Sequence, residues 1–341
     1  MRDSGLTATS GARPIAGHAT SWKARIVSRL PVSTQARLRS LRARLRNGRR
    51  VLRQSVLDCA PDAWIQTRNF RRFLGQRLNL RQPQSFNEKL HWLMLNYRRP
   101  ELTELADKYR VREYVAARAG EAVLNELYGA WDDPDAIPFE SLPRAFVLKV
   151  TSAWGQNIFC RDKSLLDIAS TRRQLATWMR RSGYWAGREW AYKNIRPRVI
   201  AERLLTGDDG GIPIDYKVFC FGGRPRFVQV DTDRFTDHRR DFFDTAWRLL
   251  PFSLTYPASG RVIPAPRTLP QILSIAERLS AGFPFVRIDL YSIGAAVIFG
   301  EMTWYPEGGL GRFAPDSYDL ELGKALVLPA PVSSVRQPRA S

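Results

Sequence analysis

The chain has 341 residues, 44% of them apolar, and carries 53 Lys and Arg against 33 Asp and Glu for a formal charge of +20. That length and apolar content allow one large or two to three small domains, and ten Trp with seventeen Phe exclude disorder over most of it. Three scattered cysteines and three histidines are too few for a disulfide framework or a His-ligated metal site, and imply a reducing compartment.

The charge is uneven. Residues 1–55 hold 13 Lys and Arg and one acid, Asp3, a net +12, which leaves only +8 for the remaining 286 residues. Such an arm attracts polyanions. Residues 1–33, rich in Ser, Thr, Ala, Gly and Arg, read as a disordered basic arm. A basic helical segment spans 34–77. Leu38, Leu41, Leu45, Leu52 and Val56 form its apolar stripe, with arginines on the other faces. This helix either docks on the body or lies on an anionic membrane surface. No aromatics interleave with its arginines, so nucleic acid is a poor partner. No apolar run approaches the ~20 residues of a membrane span, and the N-terminus has no apolar signal core.

Further along, Ser85 and Glu88 form a capping box that predicts a helix to about Tyr97. Residues 101–119 read as one helix, and 131–143 as a loop rich in Pro and Asp. Strands are predicted at 145–150, 198–205, 215–221 and 226–232, with "FGGRP" turning between the last two. Helices follow at 164–181 and 269–281. A hairpin occupies 284–309, and a short helix begins near Asp316. Helices first and a mixed body afterwards make the fold α+β. The stretch 231–244, alternating charge with aromatics, is either a solvated loop or a substrate-anchoring loop with Arg234, His238 and Arg239.

Three stretches carry chemistry. "FVLKV" places one lysine, Lys149, on an apolar strand before a small-residue loop. Lysine and loop amides can meet phosphate, although a strand lysine can equally reach solvent. "RVIAERLL" holds Glu202 and Arg203, which suit either a surface ion pair or a hinge strand whose edge pairs with a planar base. In the hairpin, Arg287, Asp289 and Tyr291 alternate with Val286, Ile288 and Leu290. Glu301 and Thr303 are expected to share a face with Val297 and Phe299. A turn near 292–295 puts Asp289 and Glu301 on one face. Two such carboxylates are either a Mg²⁺ position or a solvated face with Arg287 neutralising Asp289.

"SFNEKLHWL", "DKYRVREYV", "REWAYKNIRPRVIAE", "DYKVFCFGGRPRFVQVDTDRF" and "FPFVRIDLY…FGEMTWYPEGG" occur in the order of the blocks of the TupA-like ATP-grasp family. The chain resembles that family over 78–326, with 327–341 as a C-terminal tail. The resemblance implies an ATP-grasp fold of two α+β subdomains clamping ATP with Mg²⁺. It matches Lys149 and Arg112 to nucleotide contacts, Glu202 to the start of the hinge, and Leu204 and Leu205 to its adenine-facing edge. It matches Asp289, Glu301 and Thr303 to the metal, and Arg287 to the arginine that steadies an acyl phosphate. The family's phosphate loop reads H-G-S-G-x-N. Here "SAWGQN" keeps Gly155 and Asn157, while Ala153 and Trp154 replace residues that let backbone approach phosphate. Trp154 either covers the nucleotide or marks weakened ATP binding.

The resemblance implies an ATP- and Mg²⁺-dependent ligase of cell-surface polysaccharide biosynthesis, acting on a sugar acid or amino acid. It would be cytoplasmic, or peripheral at the inner membrane face through residues 1–55. The alternatives are a glycosyltransferase-like enzyme, for which Asp231 and Asp233 form a D-x-D, and a non-catalytic protein on the same scaffold.

Overall fold

A computed structural model describes residues 59–330 apart from 181, 208, 209 and 235. The arm at 1–33, the apolar stripe from Leu38 to Val56 and the tail beyond 330 lie outside the described residues. The described residues from Ala60 onward belong to one compact unit.

Helix α1 (Asp62–Leu74) ends at Gly75, whose φ of 75° supplies the left-handed cap. Helix α2 (Phe86–Asn96) starts at the predicted capping box: Ser85 accepts from the Glu88 amide, and Glu88 accepts from the Ser85 amide. The single helix expected at 101–119 is two, α3 (Pro100–Ala106) and α4 (Val111–Ala119). The break is local chemistry. The Asp107 carboxylate accepts the backbone amides of Tyr109 and Arg110, which competes with continued helix.

Four strands form the first sheet: β1 (Leu127–Trp131), β2 (Phe146–Val150), β3 (Asn157–Cys160) and β4 (Val199–Arg203), in the order β1-β4-β2-β3 with every pair antiparallel. β4 is therefore interior, and β1 begins before the expected 131–143 loop. One face carries Phe146, Leu148, Val150, Val199 and Ala201 into a core closed by Leu175 of α5 (Ile168–Met179). The other face presents Val147, Lys149, Ile200 and Glu202, because side chains alternate along a strand. Helix α6 (Tyr184–Gly187) and a 3₁₀ turn at Trp190–Tyr192 lead into β4.

The second sheet is built from β5 (Asp215–Phe221), β6 (Arg224–Thr232), β7 (Arg239–Asp244), β9 (Phe285–Ile293) and β10 (Ala296–Thr303). Its order is β10-β9-β5-β6-β7. Two short strands, β8 (Ser253–Leu254) and β11 (Phe313–Ala314), pair beside it. Of the 231–244 stretch, 231–232 and 239–244 are sheet and not solvated loop, with Arg240 opposite Asp231 and Phe242 opposite Gln229, while Arg234 and His238 fall between the two strands. Helix α7 (Leu269–Ser280) buries Ile272, Ile275, Ala276 and Leu279 over one face. That face carries Val218, Cys220, Val228, Ile288 and Leu290. On the opposite face, one end is aromatic. Phe219 stacks on Phe227 with centroids 4.5 Å apart, and Phe86 of α2 packs on Phe221 and Phe285. The other end of the same face is charged. Helix α8 (Ser317–Ala325) lies on the start of α2, where Asp319 accepts the Asn87 amide.

Candidate active site

The charged end of the second sheet follows from strand register. Asp289 stands opposite Glu301 on β10 and opposite Lys217 on β5, while Arg287 stands opposite Thr303 and Phe219. Glu301 and Thr303 do not share a face with Val297 and Phe299, as alternation from the turn predicts. Up to Phe299 the pairing places Phe299 against Leu290 on the α7 side; a bulge at Gly300 then shifts the register by one. Without it, Glu301 would oppose Ile288 and turn into the apolar core. Gly300 suits the bulge because a Cβ there would lie 3.0 Å from the Asp289 carbonyl oxygen and 3.2 Å from the Tyr291 ring.

Arg287 donates to both Asp289 oxygens at 2.7 Å and to the Thr303 hydroxyl at 3.1 Å; that hydroxyl donates to Glu301 at 3.2 Å. Burial works against the Arg287 charge, but Asp289 and Glu301 outweigh it and hold its pKa above the ordinary value. Burial likewise works to raise Glu301, and Lys108 and Arg287 overcome it to lower its pKa. Lys217 lies 3.5 Å from Asp289 and 3.9 Å from Asp231, and pairs closely with Asp215.

The first sheet brings together the other predicted residues. Lys149 donates to Glu202 at 2.7 Å, and Arg112 reaches the same carboxylate at 3.2 Å while also donating to the Asn125 carbonyl. Asn157 stands opposite Lys149 in register. Val147 and Ile200 give this face apolar surface, and Leu204 and Leu205 are half-buried beyond its end. The loop at 151–156 is clamped at both ends and at its middle. The Val150 amide bonds the Gln156 carbonyl, the Gly183 amide bonds the Ser152 carbonyl, and Lys108 donates to the Ala153 carbonyl at 2.6 Å. Gly155 has φ 71°, which a glycine supplies without strain. Trp154 is 56% exposed and hydrogen-bonds Glu189 through its side chain.

Lys108 joins the two halves. It holds the loop and lies 3.9 Å from Glu301, and its pKa is lowered chiefly by burial, with Lys149 adding to the effect. The sequence reading missed Lys108 and Lys217. Lys217 had a signal, since "DYKVFCF" isolates a lysine in an apolar strand as "FVLKV" does. Lys108 had none, because only the fold turns the α3–α4 corner toward the loop.

Asp231 and Asp233 do not act as a pair. Asp231 is buried against Arg240 at 2.6 Å; burial opposes its ionisation, but Arg240 and Lys217 keep its pKa low. Asp233 sits at a turn and pairs with Arg261 at 2.8 Å. Among the described residues no three acidic, His or Cys side chains converge on one metal position. Mg²⁺ is commonly held by one or two carboxylates together with substrate phosphate and water, so the all-oxygen set Asp289, Glu301 and Thr303 fits it. Among the described residues no helix is long and apolar enough to cross a membrane.

Solved structures similar to this chain include D-alanine–D-alanine ligase from Bacillus anthracis, at 14% identity over 58% of this chain and 56% of that one, with a TM-score of 0.35. The ATP-grasp ligase PsnB, complexed with a phosphomimetic variant of its minimal precursor, Mg and ADP, is 12% identical over 64% and 57%, TM-score 0.35. Phosphoribosylamine–glycine ligase from Thermotoga maritima is 11% identical over 61% and 51%, TM-score 0.38. The matched region spans just over half the length of each. No curated protein matches the chain. A family model described as TupA-like ATPgrasp matches residues 88–327. That is well over half of the sequence and takes in both sheets, so the chain belongs to the TupA-like ATP-grasp family.

Proposed function

We propose that this protein is an ATP- and Mg²⁺-dependent ligase that activates a carboxylate as its acyl phosphate and passes the acyl group to an amine. The observation that carries this reading is Lys108, one largely buried cation bonded to the 151–156 loop and 3.9 Å from Glu301. It ties a phosphate-loop position to a carboxylate pair across the two sheets. Lys149, Arg112, Gly155 and Asn157 would meet the nucleotide's phosphates. Val147 and Ile200 would cover its base, and the backbone from Glu202 to Leu205 would edge it. Asp289 and Glu301, with Thr303, would hold Mg²⁺, which supplies charge neutralisation to the transferring phosphoryl group.

In the first step a substrate carboxylate oxygen bonds the γ-phosphorus and the bridge to ADP breaks. Arg287, fixed by Asp289, would face the anionic acyl phosphate. In the second step the amine nitrogen bonds the carbonyl carbon and the C–O bond to phosphate breaks. Phosphate leaves with that electron pair; of the two protons the ammonium sheds, one ends on phosphate and one in solvent. The family resemblance supports a sugar acid or amino acid of envelope polysaccharide as substrate. The charge of residues 1–55 supports a cytoplasmic enzyme held at the inner membrane face.

Calorimetry with ATP–Mg²⁺ against UDP-sugars tests the reading, repeated on Asp289→Asn. ATP binding with Mg²⁺ dependence lost in Asp289→Asn is the expected result. UDP-sugar binding without ATP binding would move the protein to the glycosyltransferase reading, for which the divided Asp231 and Asp233 offer no support. Binding to anionic vesicles should fall when residues 1–55 are deleted.

A further inference from the structure

The ligase reading leaves the nucleophile's site open. Glu189, between α6 and the 3₁₀ turn before β4, is only 5% exposed. Among the described residues no cation forms an ion pair with it; its side-chain partner is the neutral Trp154. Its Oε1 is hemmed in by two glycines, since a Cβ on Gly187 or Gly308 would lie 3.5 or 3.6 Å away. Gly308 follows Thr303 by five residues, so Glu189 packs against the segment that continues from the candidate metal strand. Tyr305, on that segment, is 3% exposed, and among the described residues its hydroxyl has no hydrogen-bond partner. The Gly308 amide bonds the Tyr305 carbonyl, so Tyr305 belongs to the turn that Glu189 packs against.

Both groups are in deficit. A buried carboxylate is normally paired, and a buried hydroxyl normally bonded. The neighbouring Glu301 is served by Lys108 and Arg287, which do not pair with Glu189. A primary ammonium meets both needs at once, with a positive charge and three donors. A neutral hydroxyl nucleophile brings one donor and no charge.

Resting on the ligase reading, we infer that Glu189 and Tyr305 form the subsite for the ammonium group of the acceptor, so that the acyl group goes to a primary amine and not to an alcohol. Burial, then the charge of Glu301, pushes the Glu189 carboxyl up to about 8, so near neutral pH it keeps a proton that a docked cation would displace. A docked ammonium would reverse that shift.

The full chain is titrated by ligand-detected NMR with two isosteric pairs, alaninamide against lactamide and glucosamine against glucose. ATP–Mg²⁺ binding is measured in parallel on every variant. In at least one pair the amine should bind about tenfold more tightly than its hydroxyl counterpart. Glu189→Gln should abolish that preference and leave ATP–Mg²⁺ affinity unchanged, which also reports a folded protein. Tyr305→Phe should reduce the preference several-fold. Equal binding within both pairs, or no binding by either amine, overturns the inference. So does an amine preference that survives Glu189→Gln, or a Glu189→Gln effect on the Mg²⁺ dependence of ATP binding, which would make Glu189 a metal ligand. Amine preference in a wild type that fails to bind ATP would sink the ligase reading and leave the ammonium subsite standing.

Discussion

Arg287 grips both oxygens of Asp289 at 2.7 Å, with the two side chains 9% and 5% exposed. The carboxylate proposed for Mg²⁺ is therefore already balanced by a fork from its own strand. Removing one member of a buried pair leaves the other charge unmatched, at a cost of about 3–5 kcal/mol. Arg287→Met should lose roughly that much stability in urea unfolding. Millimolar Mg²⁺ should then restore part of the loss in the variant while moving the wild type little. A variant as stable as wild type would show that the pair contributes nothing.

Lys108 has two tasks that one substitution separates from the rest of the site. Lys108→Met removes the tether on the Ala153 carbonyl and a partner of Glu301. Charged hydrogen bonds contribute about 1.5–3 kcal/mol, so ATP–Mg²⁺ affinity should fall about 10- to 100-fold. Amide exchange at 153–155 should quicken at the same time. Weaker binding with unchanged exchange would assign the effect to Glu301 alone.

Gly300 sets which way Glu301 faces. Gly300→Val forces a side chain toward the Asp289 carbonyl, 3.0 Å from the Cβ position, in a place with no room. Overpacking of this kind costs about 1–3 kcal/mol. The melting temperature should drop, and Mg²⁺-dependent ATP binding should drop further than in a destabilised control such as a core Ile288→Val. Equal losses in the two would mean that the bulge does not orient the carboxylate.

Glu189 makes stability depend on pH. Its carboxyl ionises at about 8 in the folded chain instead of the usual 4.5, because burial and then Glu301 penalise the charge. Between those values the folded state holds a proton that the unfolded state has released. Stability is therefore greatest below about 4.5 from this group and declines as pH rises to 8, by several kcal/mol in all. Above that it levels. Wild type should melt lower at pH 8.5 than at pH 5.5 by a margin that Glu189→Gln narrows. An identical pH profile in the variant would assign the dependence elsewhere.

Much of this was written along the chain. Ser85 and Glu88 specify a cap by a three-residue spacing, and "VRIDLY" specifies a two-faced strand by alternation, because both depend on neighbours in sequence. Isolated Lys149 in an apolar strand and the R-x-D of the hairpin were legible for the same reason, and the ordered blocks named the family. Lys108 and Glu189 were not legible as site residues, since their significance is a distance to Ala153, Glu301 or Gly308 that no local pattern encodes. The hairpin shows the division most sharply. Alternation alone sends Glu301 to the wrong face; one extra residue at Gly300, placed by contact with the Asp289 backbone, turns it back. Local sequence determined which residues alternate and where helices begin, because those are short-range steric and hydrogen-bonding choices. The tertiary structure alone decided which charges meet, because register, bulge and the facing of two sheets are settled only when distant strands pack.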